Sequence, residues 1–585
     1  MCGIIGYIGG GNAAENVLEG LRRLEYRGYD SAGLAVIGGN GKISVVKRQG
    51  RVEKLAPLIT EMRGCVGIGH TRWATHGRPC DANAHPHSAG AVTVVHNGII
   101  ENYAELKAAF IEKGETFFSE TDSEVLAKLV NKNFSGDILT ALAAAVKVVK
   151  GSYALMAICE NTQAIAVAKS KSSVILGFGD GENFCASDEP ALAGKCKNIC
   201  SLEDGDIALI TRDKIEIFDS KLKPVKRKLR PNVAVSASLD LCGCPHYMLK
   251  ELKEVPASVK NTISAFYDVE GELKKALDGV NRIIIVGCGT AYHAGLLGKR
   301  YFESFARVPV EVETAGEFRY KDPVMTEKTA VFAISQSGET ADTVEAARLA
   351  LSMGAKVVAV TNAPYSQLTR LASVVVPVAA GPEICVAATK SYTGQITALY
   401  LAALAFAGKK TAELEKMPGL CQKVIEDIDI NTLAQMCARS NGVYFLGKDL
   451  DYAVALEGSL KLKEVSYIPS EGYPAGELKH GTLALIDGNT VSVALMFDKA
   501  LAGKCENAVE QVLSRGGRAA VITNDTEVYN NFSKRCEVLL LPECDKYLSP
   551  LISAVVVQAI AYETAVILGR DPDKPRNLAK SVTVE

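Results

Sequence analysis

A cysteine at position 2 gains a second functional group once the initiator methionine is removed, because Cys2 then carries a free α-amine beside its thiol. An α-amine with a reference pKa of about 7.7–8.0 can take the proton of a thiol at about 8.5, directly or through a water, so nucleophile and base share one residue. Far along the chain, Glu457, Lys461 and Glu464 fall at i, i+4 and i+7, which puts two carboxylates and an amine on one helix face. Such a stripe serves either as a solvated salt-bridge face or as acid–base machinery. Two other stretches have the form of anion cradles. Gly287-Cys288-Gly289-Thr290 and Ser335-Gln336-Ser337-Gly338-Glu339-Thr340 each follow an apolar strand and precede a helical run. Hydroxyls and backbone N–H groups at a helix N-terminus hold a phosphate without needing a lysine. The Gly-Cys-Gly turn also suits an ordinary βα loop; the serine-rich stretch is the more specific of the two.

The elements that must position these groups change character along the chain. Through about Asp240, short β-rich runs (33–37, 92–95, 153–159, 164–168 and 206–210) alternate with Gly and Asn turns and a few helical segments, which predicts a layered α+β domain. The sequence turns basic over 221–230 and then slackens into Val-Ala-Val-Ser-Ala-Ser (233–238), the strongest boundary signal present. Helical periodicity over 246–270 leads into strand, glycine turn and helix in alternation, the signature of a parallel α/β sheet. This half is duplicated. Ile283-Ile284-Ile285-Val286-Gly287 matches Val443-Tyr444-Phe445-Leu446-Gly447, and Ala315-Gly316-Glu317-Phe318-Arg319 matches Ala475-Gly476-Glu477-Leu478-Lys479, both at an offset of about 160.

The composition bounds the chemistry. A chain of 585 residues implies several domains, each of roughly 100–200 residues. With 48% hydrophobic and 23% charged residues and a formal net charge of -2, no field favours nucleic acid or an anionic membrane, and small-molecule chemistry becomes the expectation. The 16 cysteines are scattered through apolar stretches, which fits a reducing, cytoplasmic setting. Cys242, Cys244 and His246 lack a second pair nearby and read as a linker turn, so no metal is expected. The start carries no basic or sustained apolar targeting segment. The stretch 551–568 is interrupted by Gln558 and Glu563, as in a buried helix, so no membrane span is expected.

Cys2-Gly3-Ile4-Ile5-Gly6, Tyr26–Gly33, His70–Gly77, His96–Asn102 and Ser119–Ser123 together resemble the N-terminal-nucleophile glutaminase domain of class II amidotransferases. The resemblance implies that Arg72 and Thr75 hold the glutamine α-carboxylate, Asp122 its α-ammonium, and Asn97 with Gly98 the oxyanion, with His76 also among the glutamine-binding residues. Trp73 and Arg27 are implied as a gate for ammonia. The single residues keep plainer readings beside this: Asp122 suits a helix N-cap, Trp73 suits a core, and His70, His76, His85 and His96 suit satisfied structural histidines, none of them the base. The serine-rich loop resembles the phosphosugar loop of sugar-isomerase (SIS) domains. Across nearly the whole chain the combination resembles the glutamine:fructose-6-phosphate aminotransferase (isomerizing) family. That implies an α/β/β/α glutaminase sandwich followed by two doubly wound parallel α/β SIS domains.

The implied boundaries are 1–240 for the glutaminase, 241–278 for a linker and connecting helix, 279–425 and 433–566 for the SIS domains, and 567–585 for a tail. The implied substrates are L-glutamine and fructose 6-phosphate, with no cofactor. Thr290, Ser335, Gln336, Ser337, Thr340, Val386 and Lys461 are implied at the sugar phosphate. Lys580 is implied as the Schiff-base amine, Glu464 as the base between C1 and C2, and His480, from the neighbouring subunit of a homodimer formed through the SIS half, as the ring-opening group. Two departures stand out: Ala291 and Ala388 replace residues that are usually serine in the family, each removing a hydroxyl worth about 0.5–1.5 kcal/mol. The alternatives are an enzyme acting on another keto-sugar phosphate, or a non-catalytic sugar-phosphate sensor, for which no DNA-binding segment is apparent.

Overall fold

A computed structural model describes residues 2–232 and 240–583. The boundary segment 233–238 and the last two residues, Val584 and Glu585, lie outside the described residues. The chain forms two compact units, 1–240 together with 579–585, and 241–578.

The first unit holds an eight-stranded and a six-stranded sheet, each antiparallel throughout. β1 (Gly3–Gly9) runs between Glu182–Ala186 and β2 (Val66–Arg72). β3 (Val92–Ile100) pairs with Gly151–Cys159 in the other sheet. Alternation along β1 sends Ile5 and Tyr7 into the core under helix α1 (Ala13–Leu24) and Ile4 and Ile8 into the core between the sheets. Ile68, Met156 and Val167 share that inner core. α2 (Glu124–Asn133) and α3 (Ile138–Val146) cover the far face of the second sheet. The order of layers is therefore helix, sheet, sheet, helix.

The second unit holds two five-stranded parallel sheets. In the first, Val310–Thr314, β4 (Arg282–Gly287), β5 (Thr329–Ile334), Lys356–Thr361 and Val374–Pro377 are successive neighbours. In the second, Ser470–Pro474, β6 (Gly442–Gly447), β7 (Thr490–Met496), Arg518–Thr523 and Glu537–Leu540 follow the same order. Each sheet thus starts in the middle and reverses direction between its first and third strands, the switch point where open α/β sheets bind ligands.

Helix α4 (Val255–Ala276), expected as part of a linker, is a core element: it packs on α7 (Lys390–Phe406), and Val259, Ile263 and Phe266 join the core shared by both repeats. α5 (Thr290–Phe305) follows β4, α6 (Ala341–Ser352) follows β5, and α8 (Leu450–Ser466) follows β6. α9 (Ser549–Ile567) is long and apolar enough to cross a membrane, yet 78% of its apolar window is buried within the protein. Its buried Gln558 donates Nε2–H to the Thr389 carbonyl at 3.3 Å.

Candidate active site

Cys2 precedes β1, and its surroundings come from distant parts of the first unit. The Trp73 N–H donates to Cys2 Sγ at 3.3 Å, while Asn97 Nδ2 and Arg27 Nε donate to the Cys2 carbonyl at 3.0 and 3.2 Å. Burial pushes the Cys2 thiol up, against the pull of the Trp73 N–H and the Arg72 guanidinium. The protonated thiol is therefore the resting form near neutrality, and attack requires a base. Arg27 is buried and paired with Asp188 at 2.6 Å, so this expected gate residue is fixed beneath the nucleophile.

Arg72 is buried at the end of β2, where its guanidinium donates to the carbonyls of His76 and Gly77. Asp30 accepts the Ala74 N–H at 2.8 Å and so clamps the same loop. Thr75 is exposed; Trp73 and His76 are half-buried, and the His76 ring meets Tyr103 edge-on at 5.3 Å. Asp122 is buried and accepts the Ile100 N–H at 2.8 Å; the N-cap of α2 is Ser123, not Asp122. Ser123 Oγ bridges Asp122 Oδ1 at 3.2 Å to His96 Nδ1 at 2.8 Å. Gly98 has φ +138°, and a Cβ there would meet the Ser152 carbonyl at 2.0 Å, so only glycine fits beside Asn97.

The four buried histidines form a cluster around His85: His70 stacks on it at 4.0 Å, His87 meets it edge-on at 4.6 Å, and His96 lies tilted to it at 6.5 Å. Burial holds all four below the ordinary imidazole value. They are neutral near pH 7, and among the described residues none bonds to Cys2.

In the second unit the serine-rich loop closes on itself ahead of α6. Ser335 Oγ lies 2.8 Å from Thr340 Oγ1 and accepts the Gly338 N–H at 3.0 Å, while Ser337 Oγ accepts the Glu339 N–H at 3.2 Å. Gln336 is half-buried, and its carbonyl accepts the Asn362 N–H at 3.2 Å. Val386 is buried, with its N–H on the Asp573 carbonyl at 3.1 Å. Glu251 accepts the Cys385 N–H at 3.1 Å, and Glu383 accepts the Thr389 and Ser391 N–H groups at 3.0 Å each, so this loop is pinned on both sides. Ala291 is packed in the core and Ala388 is half-buried.

The α8 stripe is not a solvated face. Glu457 and Lys461 side chains are 0% and 1% exposed, and only Glu464, at 21%, reaches outward. Lys461 Nζ lies 2.6 Å from Glu464 and 3.5 Å from Glu457. Burial alone would neutralise these groups, but Lys461 and His293 hold the Glu457 carboxyl below its usual range, and the two carboxylates push the Lys461 amine up. Thr290 Oγ1 donates to Glu457 at 3.0 Å. His480 is exposed at the end of the short turn Ala475–His480 and takes no part in this row. Lys580 is half-buried on the segment that groups with the first unit.

Sequence reasoning passed over Asp30, Asp188 and His293, whose partners are distant along the chain, and Glu383, which instead holds the N–H groups of Thr389 and Ser391 close by in its own loop. It also passed over Asp451, at the repeat position of Ala291. Asp451 is buried, accepts the Phe497 N–H at 2.9 Å, and is pushed up to about 7 by burial with Asp498 and Asp449 nearby. In the second repeat a carboxyl group of the chain thus caps the region where the first repeat presents its cradle.

Residues 70–191 match the family model of a glutamine amidotransferase domain, and residues 276–405 and 436–568 each match that of the SIS domain. Relatives named glutamine–fructose-6-phosphate aminotransferase (isomerizing), from Caldanaerobacter subterraneus subsp. tengcongensis and Thermus thermophilus, are each 45% identical over 610 residues and are matched over 100% of both chains. That of Aquifex aeolicus is 44% identical over 598 residues, again over 100% of both chains. The solved C-terminal domain of glucosamine-fructose-6-phosphate aminotransferase from Francisella tularensis is similar at TM-score 0.55 and 36% identity, covering 57% of this chain and 100% of that one. Tagatose-6-phosphate ketose/aldose isomerase from Escherichia coli shares the fold at TM-score 0.51 and 15% identity, over 57% of this chain and 96% of that one.

Proposed function

The chain belongs to the family of isomerizing glutamine–fructose-6-phosphate aminotransferases, and we propose on that footing how its residues divide the work. The reaction converts L-glutamine and fructose 6-phosphate to L-glutamate and glucosamine 6-phosphate. The observation that carries this reading is the match over the whole of both chains.

In the first unit the α-amine of a processed Cys2 takes the thiol proton, and the thiolate attacks the glutamine amide carbon. The developing oxyanion accepts from Asn97 Nδ2 and the Gly98 N–H, each donor contributing about 3–4 kcal/mol. Arg72 and Thr75 receive the α-carboxylate and Asp122 the α-ammonium, with His76 also at the glutamine. The support is that Arg72 and Asp122 both lie close enough to bias the Cys2 thiol. Trp73 and Arg27 govern the exit of ammonia.

In the second unit Ser335, Gln336, Ser337 and Thr340, with Thr290, Val386 and Lys461, bind the sugar phosphate. Lys580 forms a Schiff base with the ketose carbonyl, losing water, and ammonia displaces the lysine to leave an imine. Glu464 then moves a proton from C1 to C2. The partner subunit's His480 opens the sugar ring in a homodimer, which suits its exposure.

The test is hexosamine 6-phosphate formation by the purified protein, read by mass spectrometry. Cys2→Ala and Lys580→Ala are each expected to abolish it with glutamine. Mixed Lys580→Ala and His480→Ala chains are expected to regain part of the activity through shared sites. Glutamate without hexosamine from the wild type would contradict the sugar half. Ala291 and Ala388 then favour a second reading, that another ketose phosphate is the acceptor, which a panel of such sugars decides.

A further inference from the structure

The charged row on α8 does not end at Glu457. His293, in the first turn of α5, lies with Nδ1 2.8 Å from Glu457 Oε2, while Thr290 Oγ1 holds Oε1 at 3.0 Å. An ionised carboxylate only accepts hydrogen bonds, so Nδ1 carries the proton and donates it. The His293 side chain is 12% exposed and the Glu457 side chain 0%, so the pair is shielded from competing water. Four groups, His293, Glu457, Lys461 and Glu464, therefore alternate donor and acceptor from the helix after the Gly287–Thr290 turn to the outward carboxylate of the other repeat.

Lys461 faces a choice between two carboxylates, and the distances show which prevails: 2.6 Å to Glu464 against 3.5 Å to Glu457. Glu457 competes weakly because each of its oxygens is already engaged, one by His293 and one by Thr290. Without the His293 donor, Oε2 would be a buried carboxylate oxygen lacking its partner, and Lys461, already 3.5 Å from Oε1 of the same carboxylate, would be drawn towards Glu457.

We propose that His293 is a positioning residue for the sugar chemistry: its Nδ1–H occupies Glu457, and this leaves Lys461 directed at Glu464, the carboxylate that moves the proton between C1 and C2. The inference rests on the functional reading given above. It requires a hydrogen-bond donor at the place of Nδ1 and not an imidazole as such. Asn, whose amide nitrogen occupies nearly the same place, should serve; an apolar side chain of similar size should not.

The experiment compares wild type, His293→Asn and His293→Leu in hexosamine 6-phosphate formation, with ordinary and C1-deuterated fructose 6-phosphate. Expected for His293→Leu is a fall in kcat of about 10- to 100-fold, a KM for the sugar changed by less than about threefold, and a larger deuterium isotope effect on kcat as proton transfer becomes limiting. His293→Asn should restore most of the rate and the smaller isotope effect. If His293→Leu does not fold, His293→Gln, which carries its donor one bond further out, replaces it with the same expectation. Wild-type kcat and isotope effect in the Leu or Gln variant, a rise in KM alone, or an Asn variant no better than these would overturn the proposal. Absence of hexosamine phosphate from the wild type in the same assay would remove the functional reading and this inference with it, whereas losses confined to the variants bear on His293 alone.

Discussion

Asp451 shows how a single buried carboxyl couples this fold to pH. It is pushed up to about 7 by burial with Asp498 and Asp449 nearby, whereas in an unfolded chain the group titrates near 3.9. Below about pH 4 both states hold the proton and no cost arises. Between about pH 4 and 7 the unfolded chain releases it while the folded chain keeps it, so stability falls as pH rises, by a few kcal/mol on an order-of-magnitude basis. Above about pH 7 the loss is constant. Asp451→Asn keeps an acceptor for the Phe497 N–H and cannot ionise, so the variant should melt higher than wild type at pH 8 and nearly equally at pH 4. Thermal melts of the whole chain at both values check this. A gain of the same size at both, or none at pH 8, would show that the carboxyl does not titrate in this window.

The turns that shape the cradles place similar demands on whole elements. Gly338 has φ +63°, and a Cβ there would meet Ser366 Oγ at 2.0 Å, so Gly338→Ala must displace the loop that sets Ser335, Ser337 and Thr340 ahead of α6. We expect its KM for fructose 6-phosphate to rise by about tenfold or more, equivalent to at least ~1.4 kcal/mol; an unchanged KM would show that the loop does not bind the phosphate. The two cradle turns, the parallel sheets and the duplication were legible because strand, glycine turn and helix recur in register at both 283–287 and 443–447. β1 was harder to read as a strand, since three of its seven residues are glycine. Those glycines answer to neighbours that are remote in sequence: at Gly6 a Cβ would meet Cys185 Sγ at 2.6 Å. The α8 stripe was legible as a face but not as a buried one, because periodicity shows which residues share a side and not what covers it. His293 covers it from 164 residues away. For the same reason α4 read as a linker helix, although its apolar side is held by α7.

At the scale of the molecule, the duplication has been put to unequal use. The first repeat keeps a serine-rich loop whose hydroxyls and N–H groups surround one turn. The second caps the related region with Asp451 and carries the buried row Glu457, Lys461 and Glu464 on its first helix. On the reading proposed above, most of the sugar-phosphate contacts come from the first repeat and the acid–base row from the second, while the four-layered unit supplies nitrogen. Such a division is productive only if ammonia freed at Cys2 reaches the sugar before it escapes to solvent. The most direct test supplies glutamine labelled in its amide nitrogen, fructose 6-phosphate and an excess of unlabelled ammonium to the purified full chain, and reads the mass of the product. The account predicts hexosamine 6-phosphate that carries the label. Product in which the label is fully diluted, or no hexosamine phosphate at all, would contradict it.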